Sequence, residues 1–373
     1  MNSELLFSTN YGDARRSFVD FCLKRGGIVQ SFLNPNAKGP TGEDLFTDLV
    51  RFGPIHPKKA LFCISGTHGL ECPAGRTAFI NWLDQFDFKS LAPDTGLYFV
   101  HAINPYGFAH LSRTTENNVD LNRNFREFSG PLPKNPIYDD LRPLLCPDGL
   151  DELKMEVMTA KLEDKAKDIT WQVLVDGFMK GQYKDPVGVM YGGHHREWSA
   201  ETLETIVKKE LGRCEDVLYI DWHTGLGEYG YDFYVCLHEV DSPRYQLVNN
   251  LLDGKLEQTA KGFIGGQIPR YEGLLLAQLD RWLAHCRRMG FVIEMGTKDN
   301  KSISNALMLD AWLRRNPNSD DETKRNIKAQ LLEFFYPNDP PWQDSLLIRS
   351  RNLLNCMYKQ LVTEGLPAVK QEE

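Results

Sequence analysis

The stretch "LFCISGTHGLECPAG", residues 61–75, joins a short apolar run to a helical pattern through a turn bounded by glycines. The apolar run at 60–65 predicts a buried strand, and "AGRTAFINWL" after the turn predicts a helix. His68 and Glu71 lie in the turn between the strand and the helix. Two such residues either hold a metal ion or are ordinary polar residues of a loop, and the remaining sequence decides between these interpretations.

Strands and helices alternate on both sides of this stretch. Further strands are predicted at 28–33, 44–53, 97–103, 216–222, 231–238 and 290–296. One helix is predicted at 13–25 and another at 241–260. Because alternating strands and helices are typical of α/β proteins, we predict a single α/β domain whose mixed, twisted central sheet is flanked by helices.

The chain is predicted to form one main domain over residues 1–300 and a helical C-terminal extension over 301–373 that packs on it. Within the main domain, residues 127–198 are interpreted as an insertion. The first part of this insertion, 127–150, is rich in proline and glycine and is predicted to be a loop or an excursion from the sheet. A helix is predicted to follow at about 151–180.

Composition and charge disfavour several classes of function. The net charge of −8 gives no reason to expect a nucleic-acid partner or an anionic membrane. No window approaches about 18 consecutive apolar residues, so no membrane-spanning helix is predicted. The eight cysteines form no Cys-x-x-Cys pair and no secretory signal is visible, which together favour reduced thiols and a cytoplasmic location. The sequence has neither a P-loop nor a Gly-x-Ser-x-Gly motif, which disfavours an NTPase and a serine hydrolase.

Polar residues stand at the carboxyl ends of the predicted central strands. His68 and Glu71 follow one strand, His223 follows another, and Glu294 lies at the end of a third. In an open α/β sheet, ligands bind at the carboxyl ends of the strands, so these residues are expected to converge. Two histidines and a glutamate suit Zn²⁺, whose catalytic sites use three protein ligands.

A second His-x-x-Glu pair, His194 and Glu197, has the same spacing. It lies in a glycine-rich loop without a clear strand, whereas the first pair lies between a predicted strand and a predicted helix. We therefore favour His68 and Glu71 as metal ligands. His194 and His195 are interpreted as loop residues or as contacts to a substrate.

Four motifs follow one another along the chain. They are "HGLE" (68–71), "NPYG" (104–107) with "VDLNRNF" (119–125), "DWHTG" (221–225) and "IEMGT" (293–297). In this order they resemble the zinc carboxypeptidase superfamily, and within it an uncharacterised, mainly bacterial branch related to the aspartoacylases and succinylglutamate desuccinylases. The resemblance covers about residues 55–300. Its most specific element is "DLNRNF" (120–125), because Arg113 stands nine residues before the Asn122–Arg123 pair of this motif, a spacing that chance rarely gives.

The resemblance implies one zinc ion per chain, with His68, Glu71 and His223 as its ligands. It also implies that Asp120 accepts a hydrogen bond from the first histidine ligand. Such a carboxylate fixes the tautomer of the imidazole ring and strengthens the ring as a ligand. The alternative interpretation of Asp120 is an aspartate that only stabilises a turn.

The resemblance also assigns roles to residues that would contact the substrate. Arg113 resembles the arginine that polarises the scissile carbonyl, and Glu294 resembles the general base. Asn122 and Arg123 resemble the pair that holds the substrate's carboxylate, a role that suits a guanidinium. Tyr271 lies in about the region where carboxypeptidases carry a mobile tyrosine, although the residues around it do not match that pattern.

The function implied by the resemblance is zinc-dependent hydrolysis of an amide bond next to a substrate carboxylate. The substrate is then a small peptide or, as in the aspartoacylase branch, an N-acyl amino acid. A third possibility is a pseudoenzyme that keeps the fold and binds zinc without catalysis. The complete set of metal ligands, base and arginine argues against this third possibility.

Overall fold

The computed structural model of the protein describes residues 6–256 and 271–368. In this part of the chain a single seven-stranded sheet is flanked by helices. The strands are β1 (Ile28–Lys38), β2 (Asp44–Phe52), β3 (Lys59–Ser65), β4 (Thr95–His101), β5 (Asp216–Gly225), β6 (Asp232–Val235) and β7 (Arg287–Gly296). The helices are α1 (Tyr11–Lys24), α2 (Cys72–Gln85), α3 (Pro105–His110), α4 (Pro136–Leu145), α5 (Met155–Met179), α6 (Trp198–Ile206), α7 (Pro243–Leu251), α8 (Leu275–Trp282), α9 (Asn300–Arg315), α10 (Asp321–Phe335) and α11 (Pro340–Thr363).

The sheet has the strand order β1-β2-β4-β3-β5-β7-β6. Its centre is parallel, because β4, β3, β5 and β7 all run in one direction. Antiparallel strands close both edges, with β1 and β2 on one side and β6 on the other. The predicted α/β domain with a mixed central sheet is therefore confirmed.

Both faces of the parallel centre are covered, so its strands are largely apolar. Along β3, Leu61 and Cys63 pack into one core, while Phe62 and Ile64 pack into another, as expected from the alternation of side chains along a strand. The first core is completed by helices α1, α2, α7 and α11. The second is completed by α6 and α8. Because β3 and β5 are paired in parallel, their carboxyl ends lie side by side.

The helices after residue 300 join two different cores. Helix α11 contributes Trp342, Leu346 and Leu354 to the core that lies against the sheet. Helices α9 and α10 instead share a core with α4 and α5 from the predicted insertion. The division of the chain at residue 300 stays a prediction.

One segment predicted to be a loop contains a helix. Residues 127–150 include α4, where Asn135 accepts a hydrogen bond from the backbone N–H of Tyr138 at 3.1 Å and Pro136 occupies the first turn. Tyr138 and Leu141 are buried on one face of this helix. The prediction gave too much weight to proline and glycine content and too little to this periodicity.

The other predicted elements differ from the structure mainly at their ends. The helix predicted at 151–180 is α5, which carries a kink at Thr170, where φ is 65°. The helix predicted at 241–260 is α7 (Pro243–Leu251), and residues 257–260 lie outside the described part of the chain.

No helix among the described residues has the length and apolar character needed to cross a membrane. All eight cysteines are free thiols.

Candidate metal centre

Three buried side chains meet where β3 and β5 end. His68 follows β3, and the short 3-10 turn Gly69–Glu71 brings Glu71 back toward the histidine. His223 comes from β5 itself, whose Trp222 is paired with Ser65 of β3. One potential ligand atom from each of the three residues lies within 4.8 Å of the other two. Among the His, Cys, Asp and Glu side chains of the described part of the chain, these three form the cluster that is suited to hold a metal ion.

The potential ligand atoms of the group point toward one another. The Nδ1 atoms of His68 and His223 are 3.1 Å apart. One oxygen of Glu71 lies 2.9 Å from the Nδ1 of His68, and the other lies 2.7 Å from the Nδ1 of His223. Two ring nitrogens and a carboxylate that converge in this way match the nitrogen and oxygen ligands of Zn²⁺.

The far side of each imidazole ring faces a second carboxylate. The Nε2 of His68 lies 3.3 Å from Asp120, and the Nε2 of His223 lies 2.7 Å from Asp221. A ring that donates from Nε2 presents an unprotonated Nδ1, which is the form that binds a metal. Asp221 is itself held by the hydroxyl of Thr67, which donates to it at 2.8 Å.

Asp221 was not among the predicted site residues, although the sequence contains a signal for it. Residues two apart in a strand project to the same face of the sheet. Asp221 and His223 are two apart within an apolar strand, so a carboxylate beside the ring of His223 follows from the strand prediction. The prediction considered strand ends only and overlooked this alternation.

Charge is concentrated at the group, and each charge affects the others. Burial alone would raise the pKa of Glu71, but His68 and His223 outweigh it and hold the pKa of this carboxyl well below its usual range. Burial alone would lower the pKa of His223, but Asp221 and Glu71 raise this pKa well above its usual value. Without a metal, a proton on the imidazole of His223 therefore offsets part of the negative charge of the carboxylates, a role that a divalent cation can replace.

Arg113 bridges two carboxylates of the site, Asp120 and Glu71. Its Nε donates to Asp120 at 3.1 Å, and its Nη1 donates to Glu71 at 3.4 Å. The guanidinium is thus oriented by one of the potential metal ligands and by the carboxylate behind His68. Its side chain as a whole retains 14% exposure.

Glu294 lies opposite His223 in the register of β7 and β5. Paired residues on adjacent strands project to the same face, so both side chains are directed to the same side of the sheet. One oxygen of Glu294 accepts a hydrogen bond from the backbone N–H of Leu226 at 3.3 Å. Burial and the negative charge of Glu71 raise the pKa of Glu294 to about 8.

Asn122 and Arg123 lie next to Asp120, but their polar groups contact the backbone. The Oδ1 of Asn122 accepts from the N–H of Leu275 at 3.0 Å. Arg123 donates from Nε to the carbonyl of Met179 at 3.1 Å and from Nη1 to the carbonyl of Asn122 at 2.8 Å. The Nη2 of Arg123 also contacts the carbonyl of Met179.

Tyr271 and the end of α5 enclose Arg123. The guanidinium lies 4.9 Å from the centre of the Tyr271 ring, in the geometry of a cation–π contact. On another side, a Cβ at Gly181 would lie 2.5 Å from the Cδ of Arg123, and Gly181 has a φ of +89°. Glycine at position 181 therefore allows the chain to turn directly against this side chain.

The second His-x-x-Glu pair lies apart from the potential metal ligands. His194 is exposed, and its Nε2 is 2.6 Å from the carbonyl of Tyr183. Glu197 is buried and accepts hydrogen bonds from Thr115 at 3.0 Å and from Asn117 at 3.1 Å. These contacts attach the 115–117 turn to the segment before α6.

Comparisons with known proteins provide a family and several related folds. Residues 7–349 match a protein family described as "Protein of unknown function (DUF2817)". The search of curated proteins found no match.

Solved structures similar to this chain include two that are named carboxypeptidases and one that is named a succinylglutamate desuccinylase. Carboxypeptidase A from Helicoverpa armigera is 13% identical with a TM-score of 0.43, and the match covers 87% of this chain and 73% of that one. A metallo-carboxypeptidase from Pseudomonas aeruginosa is 17% identical with a TM-score of 0.39, covering 82% and 68% of the two chains. A succinylglutamate desuccinylase from a Silicibacter species is 12% identical with a TM-score of 0.40, covering 78% and 65%.

Proposed function

Since this chain belongs to the DUF2817 family of proteins of unknown function, we propose its function from its own site: zinc-dependent hydrolysis of an amide bond next to a substrate carboxylate. One observation carries the proposal, namely the convergence of the Nδ1 atoms of His68 and His223 on the two oxygens of Glu71. The proposal assigns one zinc ion per chain to these three residues. Zinc bound there would act as a Lewis acid and would lower the pKa of a coordinated water toward about 7.

Glu294 is the proposed general base. It shares a face of the sheet with His223, and its pKa of about 8 lies close to neutral pH. Only the ionised form of this carboxyl can take a proton from the attacking water, and the positive charge of a zinc ion bound nearby would favour that form. The resulting acid can later return the proton to the leaving amine. Replacing Glu294 with glutamine is expected to lower kcat by about 10²–10⁴-fold.

Arg113 is the proposed donor to the carbonyl oxygen of the substrate. A guanidinium stays charged and directs several N–H groups in fixed directions, so it stabilises the negative charge that develops on this oxygen. Asp120 and Glu71 already hold the guanidinium in place, which limits the reorganisation needed during the reaction.

Asn122, Arg123 and Tyr271 are proposed to hold the carboxylate of the substrate. In the structure, the carbonyl of Met179 accepts hydrogen bonds from two nitrogens of Arg123. A substrate carboxylate must therefore use the remaining N–H groups of Arg123 or replace Met179 as the acceptor. Tyr271 is only partly buried and lies against the guanidinium, where it can contact the same substrate.

The enclosure of Arg123 also favours a second candidate function, the deacylation of N-acyl amino acids. Arg123 is only 3% exposed, and α5 and the turn at Gly181 pack directly against it. An N-acyl amino acid, the smaller of the two substrate classes, needs less room beside this side chain than a peptide does. Hydrolysis rates on a library of short peptides and on a panel of N-acyl amino acids would separate the two candidates.

The first test is the zinc content of the purified protein, measured by elemental mass spectrometry after purification without chelators. About one zinc per chain is expected in the wild type and in His194→Ala, and zinc should be lost in His68→Ala. His194→Ala is the matched control, because this exposed histidine belongs to the second His-x-x-Glu pair. Absence of zinc from the wild type, or its loss only in His194→Ala, would contradict the proposal.

The second test separates an enzyme from a pseudoenzyme. Activity on either substrate panel that falls in Glu294→Gln supports the proposed hydrolase. A wild-type protein that holds zinc but hydrolyses neither panel would support the pseudoenzyme instead.

A further inference from the structure

The segment Ser112–Arg113 lies against the turn that carries two of the proposed zinc ligands. The carbonyl of Arg113 accepts a hydrogen bond from the N–H of Gly69 at 3.2 Å, and the carbonyl of Ser112 accepts one from Leu70 at 3.2 Å. Gly69 and Leu70 are the two residues between His68 and Glu71. The position of the turn therefore depends on the position of this segment.

Helix α9 holds the opposite side of the same segment. One oxygen of Asp310 accepts hydrogen bonds from the hydroxyl of Ser112 at 2.9 Å and from the backbone N–H of Arg113 at 2.8 Å. One helical turn later, Arg314 donates to the carbonyl of Thr115 at 2.8 Å and to the hydroxyl of Ser112 at 3.0 Å.

The segment Ser112–Arg113 lies outside regular helix and strand. Apart from α9 and the ligand-bearing turn, it is held by the N–H of Ser112, which donates to the carbonyl of Gly107 at 2.8 Å, and by Asn104, whose Nδ2 donates to the carbonyl of Arg113 at 3.2 Å. Helix α3 ends at His110, and the next residue, Leu111, has a φ of 49°. A backbone N–H bonded to a carboxylate forms a charge-assisted hydrogen bond, which is stronger than one to a neutral acceptor. Asp310 is 6% exposed, and a buried carboxylate is costly unless hydrogen bonds satisfy it. Its two donors come from the segment that carries Arg113.

We propose that Asp310 is a positioning residue: it fixes the backbone of Arg113 and, through it, the turn at Gly69 and Leu70. The inference rests on the proposed role of Arg113 at the substrate's carbonyl. It also gives α9 a function in the site, although this helix lies beyond the part of the sequence that carries the catalytic motifs. The hydrogen bonds of Asp310 go to Ser112 and to the backbone of Arg113, and not to the proposed zinc ligands.

The test compares Asp310→Ala, Asp310→Asn and Asn305→Ala at saturating zinc. Asparagine keeps an oxygen in the position of the carboxylate, so Asp310→Asn should keep kcat within about threefold. Asp310→Ala releases the segment, and kcat should fall by about 10–10²-fold with KM nearly unchanged, since a displacement of about 1 Å can cost about 10²-fold. Asn305→Ala is the control, because this buried residue of α9 donates to the carbonyl of Leu153 and not to the segment.

Hydrogen exchange gives a readout that needs no substrate. Mass spectrometry of peptides that contain the N–H groups of Gly69, Leu70 and Arg113 should show exchange at least about tenfold faster in Asp310→Ala than in the wild type. Asn305→Ala should leave exchange in these peptides unchanged. Unchanged exchange in Asp310→Ala would overturn the inference even if no substrate is found.

An Arg113→Ala variant separates failure of this inference from failure of the proposed function. If kcat is unaffected in Arg113→Ala, the proposed role of Arg113 at the substrate's carbonyl is wrong, and the positioning role of Asp310 fails with it. If Arg113→Ala loses activity while Asp310→Ala keeps it, the proposed function stands and the positioning role is overturned. If both lose activity, the double variant should lose less than the product of the two effects, because both changes act on the same guanidinium.

Discussion

Each imidazole of the candidate metal centre is oriented by a carboxylate from a different part of the chain. Asp120 comes from a loop and faces His68, whereas Asp221 lies in the same strand as His223. Both rings therefore present Nδ1 to Glu71. The motif around Asp120 predicted that this carboxylate lies beside His68. The alternation of side chains along β5 would have been enough to predict that Asp221 lies beside His223.

Glu294 should make the stability of the metal-free protein depend on pH. Its pKa is about 8 in the folded protein, against an ordinary value of 4.5. Above about pH 4.5 the unfolded chain releases this proton while the folded protein keeps it, so the free energy of unfolding falls as the pH rises toward 8. Glutamine has no such proton. The melting temperature of Glu294→Gln minus that of the wild type should therefore become larger as the pH rises from 5 to 8.

Scanning calorimetry of chelator-treated protein at several pH values measures this difference. Only the difference between the two proteins is informative, because Glu71 and His223 titrate in both of them. A difference that stays constant from pH 5 to pH 8 would mean that Glu294 is ionised in the folded protein throughout this range.

At the scale of elements, the end of α5 determines the surroundings of Arg123. The helix ends at Met179, whose carbonyl accepts from the guanidinium, and Gly181 turns the chain against the side chain. This arrangement connects the insertion to the proposed carboxylate site. The sequence predicted the helix and its approximate end, but not what the end would contact, because that contact joins residues more than fifty positions apart.

Gly181→Ala should disturb this connection. A Cβ would lie 2.5 Å from the Cδ of Arg123, and the φ of +89° is strained for alanine. We expect a loss of about 1–3 kcal/mol in the free energy of unfolding and a raised KM with kcat little changed. Urea denaturation and steady-state kinetics measure the two effects.

Gly26→Ala is a suitable control for this prediction. Gly26 has a similar φ of +83°, but a Cβ there would meet no atom within 4 Å. This variant should therefore show the cost of the backbone strain without any change in KM. Equal KM values for Gly181→Ala and the wild type would show that Arg123 does not bind the substrate or that it tolerates the displacement.

At the scale of the whole molecule, four separate parts of the chain supply the site. The strands that carry them could be predicted, because buried parallel strands are nearly continuous apolar runs. Helix α4 was missed because its proline-rich surroundings concealed its periodicity. The contact of Asp310 with Arg113 could not be predicted from one sequence, because it depends on how α9 packs after the sheet has formed.

A chain shortened to residues 1–300, the predicted main domain, should fail to fold. The removed part includes α11, whose Trp342, Leu346 and Leu354 are fully buried in the core against the sheet. The indole N–H of Trp342 also donates to the carbonyl of Gly296 at 2.8 Å, at the end of the strand that carries Glu294. Removing one such large side chain from a core typically costs about 2–5 kcal/mol, and a domain has only about 5–15 kcal/mol in total.

Circular dichroism and thermal unfolding of the shortened chain test this expectation. The loss of several buried side chains at once exceeds the stability of a typical domain, so no cooperative transition is expected. The full-length variants Leu354→Ala and Ile348→Ala provide a matched pair on α11, since Leu354 is fully buried and Ile348 is 51% exposed. Leu354→Ala should lower the melting temperature strongly, and Ile348→Ala should hardly change it. If the shortened chain unfolds cooperatively and binds zinc, residues 1–300 are an independent domain and α11 only covers a core that is stable without it.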